Sequence, residues 1–168
     1  MPINDVMRAF TMFADGFGKL GDCSELGLPK ITVKSEEFRP GGADVPVEVD
    51  LGLEKLEATF TLSAFDAQIM GLVAVGPGND KQFTFRGALA AEDGTEKGVL
   101  VKMTGSLAES DPGSWKAGDA AELKGRIAIK YYKLAIGDAV IHEIDINGLK
   151  RVINGVDVLA QRRINLGL

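Results

Sequence analysis

Apolar and polar residues alternate in short runs along most of this chain, and Gly, Asp and Asn separate the runs. Alternation of period two, bounded by turn residues, predicts half-buried β-strands. Phe10–Phe13 predicts a short strand, Asp15-Gly16 a tight hairpin turn, and Gly18–Gly21 the return. Leu28-Pro29-Lys30 opens a further strand, in which Ile31 and Val33 alternate with Thr32 and Lys34. Arg39-Pro40-Gly41-Gly42-Ala43-Asp44 is a loop. Val47, Val49, Leu51 and Leu53 share one parity, whereas Leu56, Ala58, Phe60 and Leu62 have the other. A bulge or tight turn at Glu54-Lys55 would restore a common buried face, because one extra residue reverses the alternation.

Ala64–Val75 departs from this pattern. Phe65, Ile69, Leu72 and Val73 recur at helical spacing, Ser63 is placed to cap, and Asp66 sits near the positive helix end, so an amphipathic helix is expected up to Gly76-Pro77-Gly78. Alternation resumes with Phe83 and Phe85, then Val99, Val101 and Met103, with Asp93-Gly94 as the turn between them. Asp111–Asp119 reads as an exposed loop carrying Trp115. Leu123, Ile127, Ile129 and Tyr131 line one face of the next strand, opposite Lys124, Arg126 and Lys130. Gly137-Asp138 and Asn154-Gly155 are further turns around a strand with Val140, His142, Ile144 and Ile146 on one side. Asp157–Leu166 reads as a terminal helix stopped by Gly167. About nine strands joined by hairpins, with one flanking helix and a short C-terminal helix, predict a mostly β fold, an antiparallel sandwich or partly open barrel, formed by residues 1–168 as a single domain.

Composition narrows the function classes. The 168 residues are 45% hydrophobic and 26% charged, enough to bury a core without disulfides or metals. Nineteen Lys and Arg against 24 Asp and Glu give a net charge of −5, which argues against a dedicated nucleic-acid binder. No basic region followed by an apolar run marks a signal peptide, and no stretch approaches the roughly 20 apolar residues of a membrane span. Cys23 is the only cysteine, so it has no internal disulfide partner, and in its polar surroundings it reads as a free thiol without a role.

No constellation of residues carries chemistry. With one His and one Cys, a His/Cys metal site is excluded, and His142 reads as an ordinary strand residue rather than a catalytic base. Gly76-Pro77-Gly78-Asn79-Asp80 lacks the Lys-Ser/Thr of a phosphate loop. Asp145-Ile146-Asn147-Gly148 resembles the opening of a calcium loop, but its Gly comes too early and no Glu closes it. Glu36 and Glu37 fall on opposite faces of a strand and cannot converge on a substrate. The expectation is a binding or structural module with no catalytic centre, cofactor or required metal.

Several landmarks carry a resemblance: Leu28-Pro29-Lys30, Glu37-Phe38-Arg39-Pro40-Gly41-Gly42, the run Val47–Leu56, Tyr131-Tyr132, Glu143-Ile144-Asp145, Asn154-Gly155-Val156-Asp157 and Leu166-Gly167-Leu168. In this order they resemble the major tail tube proteins of contractile-tailed bacteriophages and the tube subunits of R-type pyocins. The resemblance implies a hexameric ring whose sheets join into a β-barrel channel. Rings would stack into a tube inside a sheath, with sheath, baseplate and tape-measure proteins as partners. It implies a virion tail or tailocin particle assembled in the bacterial cytoplasm, passage of DNA or effectors without specific binding, and no membrane insertion by this subunit. Phe38, at the entry to the Arg39–Pro46 loop, and Arg39, Pro40, Gly41, Gly42 and Asp44 within it are then expected at the joint between rings. The polar positions Glu57, Thr59 and Thr61 are expected to face the lumen. A small-ligand β-barrel carrier is the alternative, and it requires a closed apolar cavity.

Overall fold

The computed structural model describes residues 4–19 and 21–168. Twelve strands are described: β1 (Val6–Ala14), β2 (Phe17–Gly18), β3 (Cys23–Gly27), β4 (Val33–Phe38), β5 (Val47–Leu53), β6 (Glu57–Leu62), β7 (Lys81–Ala90), β8 (Glu96–Asp111), β9 (Leu123–Ile136), β10 (Ala139–Asp145), β11 (Lys150–Ile153) and β12 (Val156–Asp157). Two short helices accompany them, α1 (Ala67–Met70) and α2 (Ala160–Asn165). The expected turns form where the turn residues stand. Asp15 and Gly16 have φ of 49° and 86°, and Asn154 and Gly155 have 49° and 81°, the double positive φ that two-residue hairpins between right-twisted strands require. In the predicted return to Gly21, β2 covers Phe17–Gly18, and Leu20 lies outside the described residues.

Ten strands form one antiparallel sheet in the order β12-β11-β10-β9-β8-β7-β1-β2, with β6 on the same edge of β9 as β10 and β3 beside β6. Strand β9 is the pivot. Its first part, Leu123–Ala128, pairs with β6, while Tyr131–Ile136 pairs with β10. At the changeover the register with β8 jumps from Thr104↔Tyr131 to Gly105↔Ile129, leaving Lys130 as the extra residue of a bulge. The bulge reverses the alternation, so Tyr132 rather than the expected Tyr131 is buried. The sheet bends around one core in which Met12, Phe60, Phe83, Phe85, Met103 and Ile127 meet. It does not close into a barrel: β2 and β12 end one path and β3 ends the other.

Three further segments depart from the expectations or add to them. The helix expected over Ala64–Val75 contracts to α1, capped by Asp66 rather than Ser63, with Asp66 Oδ1 accepting from the Gln68 and Ile69 amides at 2.9 and 3.2 Å. Gly71 ends it, Ala74 adopts a φ of 53°, and Val73 bridges in parallel to Leu107. The apolar spacing was real, because Ile69, Leu72 and Val73 all reach the core, but a turn delivers two of them. Second, the polar stretch around Cys23 is strand β3, and the thiol is buried, donating to the Glu25 carbonyl at 3.4 Å. Third, no bulge or tight turn at Glu54-Lys55 gives the two halves of Val47–Leu62 a common buried face, because β5 and β6 belong to different sheets. The chain leaves one sheet and enters another, and the change of parity marks the crossing. The terminal helix forms over the middle of its expected span, and Gly167, at φ 76°, follows its last turn.

Candidate functional site

Strands β4 and β5 form a two-stranded sheet apart from the main one. The Glu54 amide, donating to the Thr32 carbonyl at 2.9 Å, closes the base of this hairpin, and Ile31 and Leu53 pack that base on the core. Beyond that base every residue of β4, and β5 up to Leu51, is exposed. Residues 39–46 form the tip, with Pro40, Gly41, Gly42 and Asp44 exposed and Ala43 donating to the Pro40 carbonyl at 3.0 Å. Gly42 has a φ of 85°, a conformation open to glycine at little cost. Phe38 and Arg39 enter this tip, so the structure brings the six predicted loop residues together on one projection.

The hairpin has two unlike faces. Glu36 lies opposite Val49, and Phe38 opposite Val47; directly opposed residues share a face. That face carries Phe38, Val47 and Val49, with Leu51 on the bulged segment beyond. Glu37 lies opposite Glu48, and Ser35 opposite Asp50, on the reverse face. Val33, Phe38, Val45, Val47, Val49 and Leu51 are each 45% to 69% exposed, so covering them would gain on the order of 1 kcal/mol apiece. A two-stranded hairpin alone in water is marginally stable, and its open edges invite pairing. The expectation that Val47, Val49 and Leu51 are half-buried within the subunit is therefore wrong. Gly52, at φ 111°, and the parity change after Leu53 were the signals that this run departs from the core sheet.

Glu57, Thr59 and Thr61 all lie on the outer face of β6, alternating with buried Ala58, Phe60 and Leu62. Beside them Arg126 reaches Glu57 at 2.7 Å and Glu109 at 3.5 Å, and Lys55 reaches Glu57 at 2.9 Å. The Lys55 hydrogen bond, helped by Arg126, holds the Glu57 carboxyl below its usual range. This surface is polar, with both signs of charge interleaved.

The remaining candidates acquire local explanations. Trp115 is 81% exposed, its ring tilted against that of Phe65 at 5.6 Å, and both line an open groove of ≈ 430 Å³. His142 sits in β10, opposite Leu134 on one side and Ile153 on the other. The Asp145–Gly148 segment is a turn in which Asp145 Oδ1 accepts from the Gly148 amide at 3.0 Å. Among the described residues no group of three or more His, Cys, Asp or Glu side chains could hold a metal ion. Lys19, which sequence reasoning overlooked, is buried and reaches both Asp66 and Gln68. It pins the segment after β2 to the capping residue of α1.

Comparison with known proteins gives a consistent result. The family model for phage tail tube protein FII matches residues 4–167. The tail tube protein of Escherichia phage P2 is 32% identical over 166 residues, 96% of each chain. The major tail tube protein of Serratia phage KSP20 is 33% identical over 148 residues, 87% of this chain and 85% of that one. Among solved structures, a chain of the sheath–tube complex of an extracellular contractile injection system in its extended state superposes with a TM-score of 0.57 at 13% identity, covering 75% of this chain and 87% of that chain. A chain of the sheath/tube terminator of such a system gives 0.59 at 12% identity, covering 76% and 94%.

Proposed function

The chain belongs to the phage tail tube protein family, and from that premise we propose that it is the structural subunit of the inner tube of a contractile tail or tail-like particle, acting by assembly rather than catalysis. Hexameric rings of the chain stack into a tube around a channel for DNA or effectors, inside a sheath, as part of a virion tail or tailocin. Baseplate and tape-measure proteins are its partners at the tube's ends and interior.

The observation that carries this reading is the projecting β4–β5 hairpin, which exposes apolar side chains on a two-stranded sheet. Such an element is a poor component of a monomer and a good one for an assembly whose neighbouring copies cover it. The tip from Arg39 to Pro46 has little core to bury and is free to reach the adjacent ring. The outer face of β6, with Glu57, Thr59 and Thr61, supplies a wetted wall suited to the lumen. A ligand carrier lacks support: the sheet is open, and Phe60, Phe83, Phe85 and Tyr132 fill its interior.

Replacing residues 39–46 with a short Gly-Ser linker tests the reading. The variant should melt as a folded subunit yet fail to grow tubes under electron microscopy. Full-length tubes from it would remove the tip from the joint between rings.

A further inference from the structure

On the outer face of the main sheet, Lys102 of β8 lies directly opposite Lys133 of β9. On the hairpin, Glu37 of β4 lies directly opposite Glu48 of β5. Opposed residues on an antiparallel pair hold their side chains side by side, and like charges there destabilise the pairing. None of the four makes an ion pair among the described residues, although Lys81, Lys97, Lys130 and Lys150 each have one. Glu48 accepts from Ser35 Oγ at 3.3 Å. Glu143, next to Lys133 in the same cross-strand row, is engaged by Lys150 at 3.2 Å and Tyr131 at 3.4 Å.

We propose that the Lys102–Lys133 pair of one copy receives the Glu37–Glu48 pair on the hairpin of a second copy. The two motifs have the same construction, a like-charged pair across one antiparallel ladder, so their spacings match. Each continues in kind by a step of two residues: Asp50 follows Glu48 on the acidic face, and Arg86, opposite Leu100, lies diagonal to Lys102. The floor of the cationic patch is hydroxyl-rich, with Thr84, Thr104 and Tyr131 lining a recess able to hydrogen-bond the incoming carboxylates. A nucleic-acid backbone would also satisfy the cations, but it would leave the matching carboxylates exposed on a chain of net charge −5. A second copy resolves both strained pairs at once. This inference rests on the tube reading and names the acceptor for the face of the hairpin that carries Glu37 and Glu48.

The test is a charge exchange on the purified full chain, comparing wild type with Glu37→Lys/Glu48→Lys, with Lys102→Glu/Lys133→Glu, and with all four changes combined. Each variant is first shown by thermal melting to be folded. The critical concentration for tube growth is then read by sedimentation and electron microscopy. Both double variants should raise it by at least about tenfold, the change expected from losing one well-formed charged contact. The combined variant should recover most of that loss, and added salt should weaken wild-type growth. Normal growth of either double variant would overturn the proposal, as would failure of the combined variant to recover. If Lys102→Glu/Lys133→Glu tubes form normally but lose affinity for DNA, the cations serve nucleic acid and the proposal is wrong. A wild-type chain that stays monomeric is a different failure, since it removes the tube reading itself.

Discussion

Gly105 occupies the point where β8 changes register against β9, and adding a single methyl group there should be costly. A Cβ built on Gly105 would lie 2.0 Å from the Ala128 carbonyl oxygen, 2.9 Å from its carbon and 3.1 Å from the Ile129 Cα. An ordinary carbon–oxygen approach is about 3.3–3.6 Å, so the strands must separate by more than an ångström. All three obstacles are backbone atoms in the centre of the sheet, with no flexible side chain to swing away. Overpacking of this kind costs roughly 1–3 kcal/mol. Opening the ladder adds about 1 kcal/mol for each hydrogen bond lost. Gly105→Ala should therefore destabilise the subunit by about 3 kcal/mol, lowering Tm by roughly 6–12 °C for a chain of this size. Gly98, on the same strand, is the control, because its Cβ would meet nothing within 4 Å; Gly98→Ala should stay within about 0.5 kcal/mol of wild type. Urea unfolding at low subunit concentration, where assembly adds nothing to stability, measures both. If Gly105→Ala also falls within about 0.5 kcal/mol, the bulge is not held by close backbone approach and the account of the sheet's bend fails.

Other consequences concern buried polar groups and exposed aromatic ones. Lys19→Met should destabilise the subunit by about 3 kcal/mol in the same urea assay, because it leaves Asp66 without its cationic partner near the core. Burial opposes ionisation of Asp66, but hydrogen bonds from Lys19 and from the Ile69 and Gln68 amides outweigh it and hold the carboxyl below its usual range; at Asp157 the Arg163 hydrogen bond is the main cause of the same shift. Both groups bind protons more weakly when folded, so their stabilisation is complete above pH about 4 and is lost as pH falls through the lowered folded values. Melting curves across that range should show this loss, and Asp66→Asn should reduce it to the share that Asp157 contributes. The Cys23 thiol, raised by burial against the opposing hydrogen bonds of Glu25 and Thr61, should react with iodoacetamide far more slowly in the folded subunit than in urea; equal rates would mean β3 does not cover it. Phe38→Ala should leave subunit Tm nearly unchanged, since the ring is 59% exposed, while impairing tube growth under electron microscopy.

Much of this fold is legible in the sequence where local chemistry decides the structure. Asp15-Gly16, Asn154-Gly155 and Gly137-Asp138 turn the chain where expected, because few residues tolerate the backbone angles those turns demand. The alternation of Ala58, Phe60 and Leu62 with Glu57, Thr59 and Thr61 identifies which face of β6 is buried. What escapes is decided by contacts distant in sequence. Nothing near Tyr131 signals that the bulge at Lys130, opposite Gly105, hands the core position to Tyr132. Strand β3 is hidden because Ser24 and Glu25 face outward at a sheet edge and leave little apolar alternation. The Ala64–Val75 stripe reads as a helix because a turn that places Leu72 and Val73 in the core has the same spacing. At the hairpin, the apolar residues from Val47 to Leu51 read as half-buried because a sequence does not distinguish burial within a subunit from burial between subunits. The like-charged pairs depend on strand register, which the alternation alone does not supply.

Cryo-electron microscopy of the purified, assembled chain decides whether the hairpin joins copies of the subunit into a tube. The expected map shows stacked six-fold rings in which the β4–β5 hairpin of each subunit is ordered against neighbouring copies, its apolar face covered and Glu37 and Glu48 over Lys102 and Lys133. A chain that stays monomeric at high concentration, or a tube in which the hairpin projects uncovered into solvent, would contradict it.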